Sequence, residues 1–86
     1  MKLQKKIQFS KHIKAGNILR EFNFLQLNND DPFLTYYIDV SDERGRRHQF
    51  LFNNDGKEWK IVGEGLPGWI GDSKNSLLHA IENEKT

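Results

Sequence analysis

Residues 34–62 read LTYYIDVSDERGRRHQFLFNNDGKEWKIV, and this stretch decides the fold. It contains three short runs in which apolar and polar side chains alternate, which is the period of a half-buried β-strand. Two polar segments, 42–45 and 53–56, separate the runs, and both are rich in residue types that favour turns. The stretch therefore predicts consecutive antiparallel hairpins.

The sequence before this stretch is less regular. Phe22 and Phe24 are at even-numbered positions, whereas Leu25 and Leu27 are at odd-numbered ones, so in a regular strand the two pairs point to opposite faces. We therefore expect a bulge or a twist within this strand. In the next strand, Tyr37 is on the same face as polar neighbours, and we expect its side chain to point away from the core.

The two ends of the chain complete the predicted domain. Residues 1–15 are expected to form an extra edge strand or a loosely ordered segment, and the link 12–17 contains Gly16 and is expected to turn. Glycine and proline in residues 63–68 interrupt both helix and strand. Residues 73–84 carry apolar side chains at helical spacing and are expected to form a C-terminal helix.

These patterns predict one α+β domain over residues 1–86. The expected architecture is an antiparallel β-meander of four to five strands, with one C-terminal α-helix packed on one face as a two-layer sandwich. A short helix is marginal in isolation, so it must dock its apolar side on the sheet.

The composition excludes several classes of protein. The chain has 86 residues and no cysteine, so it has no disulfide, no thiolate metal site and no cysteine nucleophile. No run of about 18 apolar residues is present to cross a membrane. We expect a small soluble domain, located in the cytoplasm, without a membrane partner.

Catalytic patterns are missing from the sequence. His12, His48 and His79 do not fall at the spacing of metal ligands on one element, and no glycine-rich phosphate loop opens a helix. The acidic residues Asp39, Asp42 and Glu43 are interpreted as solvated charges of a hairpin. We therefore expect a protein that is not an enzyme and that has no catalytic, cofactor-binding or metal-binding residues.

The charge distribution suggests a possible nucleic-acid partner. Residues 1–20 contain six basic and no acidic residues, whereas the rest of the chain contains seven basic and twelve acidic residues. Basic side chains near aromatic ones are typical of proteins that bind single-stranded nucleic acid. The candidate contacts to nucleic acid or another anion are Lys5, Lys6, Lys11, Lys14, Arg20, Arg44, Arg46 and Arg47.

Protein binding is the leading interpretation. A small antiparallel sheet has two edges that can pair with a partner strand or with a second copy of the chain. Tyr37 and Trp69 are candidate anchors for such a partner, because Trp and Tyr dominate binding hot spots. For Trp69 the alternative is a plug between sheet and helix, since Leu66 and Ile70 beside it are apolar. We expect a protein–protein or self-association module, with single-stranded nucleic-acid binding as the alternative.

Overall fold

The computed structural model describes residues 8–27 and 35–85. Within these residues the elements are β1 (Gln8–Ala15), β2 (Ile18–Leu27), β3 (Thr35–Ser41), β4 (Arg47–Asn54), β5 (Trp59–Val62), α1 (Gly68–Gly71) and α2 (Lys74–Lys85). The strands form one antiparallel sheet in the order β1-β2-β3-β4-β5, so each strand pairs with its neighbours in sequence. The predicted α+β meander with a C-terminal helix is confirmed.

The core lies between one face of the sheet and the helices. Alternation along each strand places large apolar side chains on this face and mostly polar ones on the other, the helix-free face. Each such side chain stabilises the fold by about 1.5–3 kcal/mol when it is fully buried. The buried apolar residues are Ile13, Ala15, Phe22, Phe24, Tyr36, Ile38, Val40, Phe50, Phe52, Ile70, Leu77, Ala80 and Ile81.

The first hairpin differs from the expected turn over residues 12–17. Strand β1 continues to Ala15, and only Gly16 and Asn17 form the turn, with φ angles of 63° and 65°. Glycine and asparagine are the residue types that tolerate this left-handed conformation, so two residues suffice to reverse the chain. Residues 1–7 of the segment 1–15 lie outside the described residues.

Strand β2 contains no bulge, which was one of the two features expected there, the other being a twist. Its pairing with β3 advances one residue at a time from Phe22 to Leu27. Phe22 and Phe24 therefore face the core, and Leu25 and Leu27 lie half-buried on the helix-free face. The change of apolar parity reflects a strand with side chains partly covered on both faces.

The C-terminal segment contains one element more than expected. The one-turn helix α1 precedes α2, which begins at Lys74. The hydroxyl of Ser73, the residue before α2, donates a hydrogen bond to the Trp69 carbonyl at 2.6 Å. This bond links the start of α2 to α1. In residues 8–27 and 35–85, neither helix has the length and apolar character needed to span a bilayer.

Candidate functional site

Strand β1 provides an open edge of the sheet. In the part of the chain that the structure describes, β1 pairs with β2 alone. It has eight residues, whereas β5 at the opposite edge has four. A strand edge carries unpaired N–H and C=O groups that can bond to an added strand.

The tight turn determines which backbone groups point outward. Ala15 and Ile18 flank the two-residue turn and are partners in the register. The two residues that flank such a turn form both backbone hydrogen bonds with each other. Along β1, residues that bond to β2 then alternate with residues whose backbone groups point away from β2. Ser10, His12 and Lys14 consequently direct their N–H and C=O groups toward the open side of β1.

A groove of about 340 Å³ lies between this edge and α2. Ile13 and Ala80 line it but are only 8% and 6% exposed, so they offer it little apolar surface. Ser76, His79 and Asn83 of α2 line the opposite wall. The groove thus places polar and basic side chains beside a strand edge, with which a bound extended segment can pair.

The groove is basic. Its lining contains Lys11, Lys14, His12 and His79 and no acidic residue. Lys11 forms an ion pair with Glu84 of α2, with 3.1 Å between Nζ and Oε2, and this pair joins the helix to the strand. A basic lining favours an acidic occupant by charge complementarity.

A second concave site of about 310 Å³ lies where the β3–β4 turn meets α1. Asp42 organises it: its Oδ1 accepts hydrogen bonds from the backbone N–H groups of Arg44 and Arg46, and its Oδ2 lies 3.0 Å from His48 Nε2. Burial acts to raise the pKa of Asp42, but the hydrogen bonds from His48 and the two amides outweigh it and lower the pKa below its ordinary value. No residue lining this cleft carries a hydroxyl, thiol or primary amine.

Arg20 lies beneath this turn and is 6% exposed. Its guanidinium carbon is 3.8 Å from the centroid of the Trp69 ring. Nε donates to the Ala15 carbonyl at 2.8 Å, and Nη1 donates to Glu43 Oε1 at 2.9 Å. This last bond is the main reason that the pKa of Glu43 is below its ordinary value. Arg20 was expected as a contact to nucleic acid or another anion, but the structure buries it and uses two of its five N–H donors within the fold.

Trp69 is half-buried and packs against the core. Its ring meets those of Phe22 and His48 edge-on, with centroids 6.4 Å and 5.9 Å apart. A Cβ added to Gly16 would lie 3.1 Å from the Trp69 Cβ, so the first hairpin also approaches it closely. These contacts favour the plug over the partner anchor as the role of Trp69.

The remaining candidate residues lie in different parts of the fold from the groove. Lys14, Arg44, Arg46 and Arg47 are exposed at one end of the sheet. Tyr37 is half-buried on the helix-free face, where it is the only Phe, Tyr or Trp among the described residues. The candidates Lys5 and Lys6 lie outside the described residues. The helix-free face therefore offers little aromatic surface on which bases could stack.

Sequence reasoning did not identify the residues that α2 contributes to the groove. His79, Ala80 and Asn83 lie on a short amphipathic helix, and nothing local shows which strand such a helix approaches. In the described part of the chain, no group of three or more His, Asp and Glu side chains is placed to hold a metal ion. Comparison with protein families, curated proteins and solved structures finds no match to this chain.

The hairpin carboxylates predict a dependence of stability on pH. Asp42 and Glu43 have folded-state pKa values below their ordinary ones, and hydrogen bonds hold the pKa of Asp55 at about 2. Their contribution to the free energy of unfolding is complete when the pH is above their unfolded-state pKa values. It is lost as the pH falls through their folded-state pKa values. Urea denaturation should show the free energy of unfolding decreasing below about pH 4. Asp42→Asn should reduce that decrease; an equal decrease in the variant and in the unaltered protein contradicts the assignment.

Proposed function

We propose that this chain is a non-enzymatic module that binds an extended, acidic segment of a partner protein as an added strand on β1. The observation that supports this most is the basic groove beside the open edge of β1. The edge supplies backbone hydrogen bonds, and the lysines of the groove lining supply positive charge. The lack of cysteine supports a cytoplasmic location for this module.

Charge favours a different protein over a second copy as the partner. Symmetric pairing of two β1 edges would bring the lysines of one copy, of which Lys11 is paired with Glu84 and Lys14 is exposed, close to those of the other. Like charges on paired strands are destabilising. An acidic strand has the opposite effect, because its carboxylates lie near these side chains without competing with the backbone pairing.

A titration with a model peptide tests the proposal. The probe is an acetylated and amidated octapeptide that alternates glutamate and valine, added to ¹⁵N-labelled protein. We expect amide shifts along β1 and the groove-facing side of α2. Hydrogen exchange should slow at the outward amides of His12 and Lys14, while the inward amide of Ile13, already bonded to β2, should change little.

Two control ligands separate the alternatives. A lysine–valine octapeptide should bind more weakly, and a mixed single-stranded DNA oligonucleotide should cause no shift at β1. Shifts with the oligonucleotide that weaken with salt would instead support nucleic-acid binding. The absence of any shift at β1 with the acidic peptide, or concentration-dependent dimerisation through β1, would overturn the proposal.

His12→Pro is a sharper test of strand addition. Proline removes an N–H that points outward and is not used by the β1–β2 pairing, so the fold should survive. An added strand loses a backbone hydrogen bond there and meets the proline ring, and we expect peptide affinity to fall about tenfold or more. His12→Ala is the matched control, because it retains the N–H and should bind within a fewfold of the unaltered protein. Equal affinities of the two variants would exclude backbone pairing at this position.

A further inference from the structure

The helix-free face of the sheet carries an apolar row that crosses four strands. The register places Leu25 of β2 beside Tyr37 of β3, Tyr37 beside Leu51 of β4, and Leu51 beside Val62 of β5. Val62 is 49% exposed, and the other three are half-buried. Helices α1 and α2 contribute to the core on the opposite face, so neither described helix covers this row.

Largely polar rows flank the apolar row on both sides. On one side, Ser10 Oγ donates to Asn23 Oδ1 at 2.6 Å, and Asn23 Nδ2 donates to Asp39 Oδ1 at 2.8 Å. The row on the other side is polar apart from its first member and consists of Leu27, Thr35, Asn53 and Lys60. An apolar centre with a polar rim is the usual anatomy of a protein interface.

A two-fold axis along the apolar row makes this face complementary to itself. A second copy turned about that axis meets the row with its own row, so Tyr37 of one copy lies opposite Tyr37 of the other. Asp39 and Thr35 flank Tyr37 on the same face, so each Asp39 carboxylate lies opposite an uncharged Thr35. A two-fold axis along β3 would instead oppose the two Asp39 carboxylates, and like charges disfavour that arrangement.

The face is large enough for a transient dimer. Five strands about 4.8 Å apart, with about eight residues of about 3.3 Å each, span about 19 Å by 26 Å. Two such faces bury on the order of 1,000 Å² in total, which is the lower limit for a specific interface and is typical of transient ones. The dimer should therefore dissociate on dilution.

We propose that two copies of this chain associate through the helix-free faces of their sheets, with Tyr37 on the two-fold axis. Stacked sheets lie about 10 Å apart, and the side chains of the two apolar rows fill that space. This contact differs from pairing of two β1 edges, which like charges oppose. It leaves the outer edge of β1 and its groove open, so each copy still has the strand-binding surface of the proposed function.

Sedimentation velocity at increasing protein concentration tests the proposal. We expect a shift from monomer to dimer that reverses on dilution. Tyr37→Lys places two cations opposite each other at the axis and should raise the dimer dissociation constant by about tenfold or more. Val62→Lys should raise it about fivefold, and the fold should tolerate this change because Val62 is 49% exposed. Circular dichroism checks that each variant is folded.

Leu19→Lys is the matched control. Leu19 is 65% exposed on the same face, but it lies near the other end of β2, about 20 Å along the strand from Leu25. This variant should dimerise as the unaltered protein does. His12→Pro should also leave dimerisation unchanged, so failure of the dimer and failure of strand addition at β1 are separate results.

Cysteine cross-linking tests the direction of the axis, because the chain has no cysteine of its own. Gln49 and Asn53 flank Leu51 in β4, so the proposed axis brings Gln49 of one copy over Asn53 of the other. Gln49→Cys mixed with Asn53→Cys should therefore cross-link through a short bis-maleimide, and Gln49→Cys mixed with Asn23→Cys should not. A monomer at every concentration, a dimer that Tyr37→Lys and Val62→Lys leave intact, or the reverse cross-linking pattern would overturn the proposal.

Discussion

Trp69→Ala is expected to lower the free energy of unfolding by about 3 kcal/mol, the lower end of the range for large aromatic truncations because the ring is only half-buried. The substitution removes the edge-on contacts with Phe22 and His48 and uncovers the guanidinium of Arg20. It also leaves a gap beside Gly16, which approaches the Trp69 side chain closely. The damage is therefore a cavity combined with a buried charge that has lost its aromatic neighbour.

Urea denaturation followed by far-UV circular dichroism measures this loss. Trp69→Phe retains much of the packing and should lose less than half as much stability. Leu19→Ser is the exposed control and should stay within about 0.5 kcal/mol of the unaltered protein. A near-neutral Trp69→Ala would show that the ring is a surface anchor for a partner and not a plug.

Arg20→Ala is expected to lower the free energy of unfolding by about 2–4 kcal/mol. A hydrogen bond from a charged group contributes about 1.5–3 kcal/mol, and the guanidinium over Trp69 adds about 0.5–2 kcal/mol. The loss also breaks the link between the β1–β2 hairpin, through Ala15, and the β3–β4 turn, through Glu43. Both hairpins should become more mobile even where the protein stays folded.

Arg20→Met separates packing from charge, because methionine keeps an apolar stem over the ring. We expect it to lose less stability than Arg20→Ala. A double-mutant cycle of Arg20→Met with Trp69→Ala, measured by urea denaturation, should give a coupling of about 0.5–2 kcal/mol between the two side chains. Additive effects of the two substitutions would show that the guanidinium and the ring do not interact.

Much of the fold follows from local pattern. The alternation in residues 35–41 and 47–54 predicts strands because a half-buried sheet has a period of two, and Gly45 and Gly56 mark turns that the structure places at φ angles of 84° and 95°. The helix was predicted from the spacing of Leu77 and Ile81, both of which are buried. One further clue was available: Arg20 shares the parity of the core phenylalanines in β2, which indicates an inward side chain.

The candidate site was harder to predict, because it is made by elements distant in sequence. Lys11 and Lys14 were identified as basic residues, but nothing in their neighbourhood shows that His79 and Ala80 lie across a groove from them. Ile18 and Leu19 look like core residues by type, and their exposure depends on the tight turn that places them at a tip. Residue type alone does not distinguish a covered aliphatic side chain from a free one.

The sequence by itself determined strands β3, β4 and β5, the two turns between them and the C-terminal helix, because these depend on side-chain periodicity and on residues that permit sharp turns. Only the tertiary structure decided which basic residues are free. It buries Arg20 against Trp69, pairs Lys11 with Glu84 and leaves Arg44 exposed. The physical reason is that burial and pairing depend on which distant elements the chain brings together. The local pattern of residues does not specify those contacts.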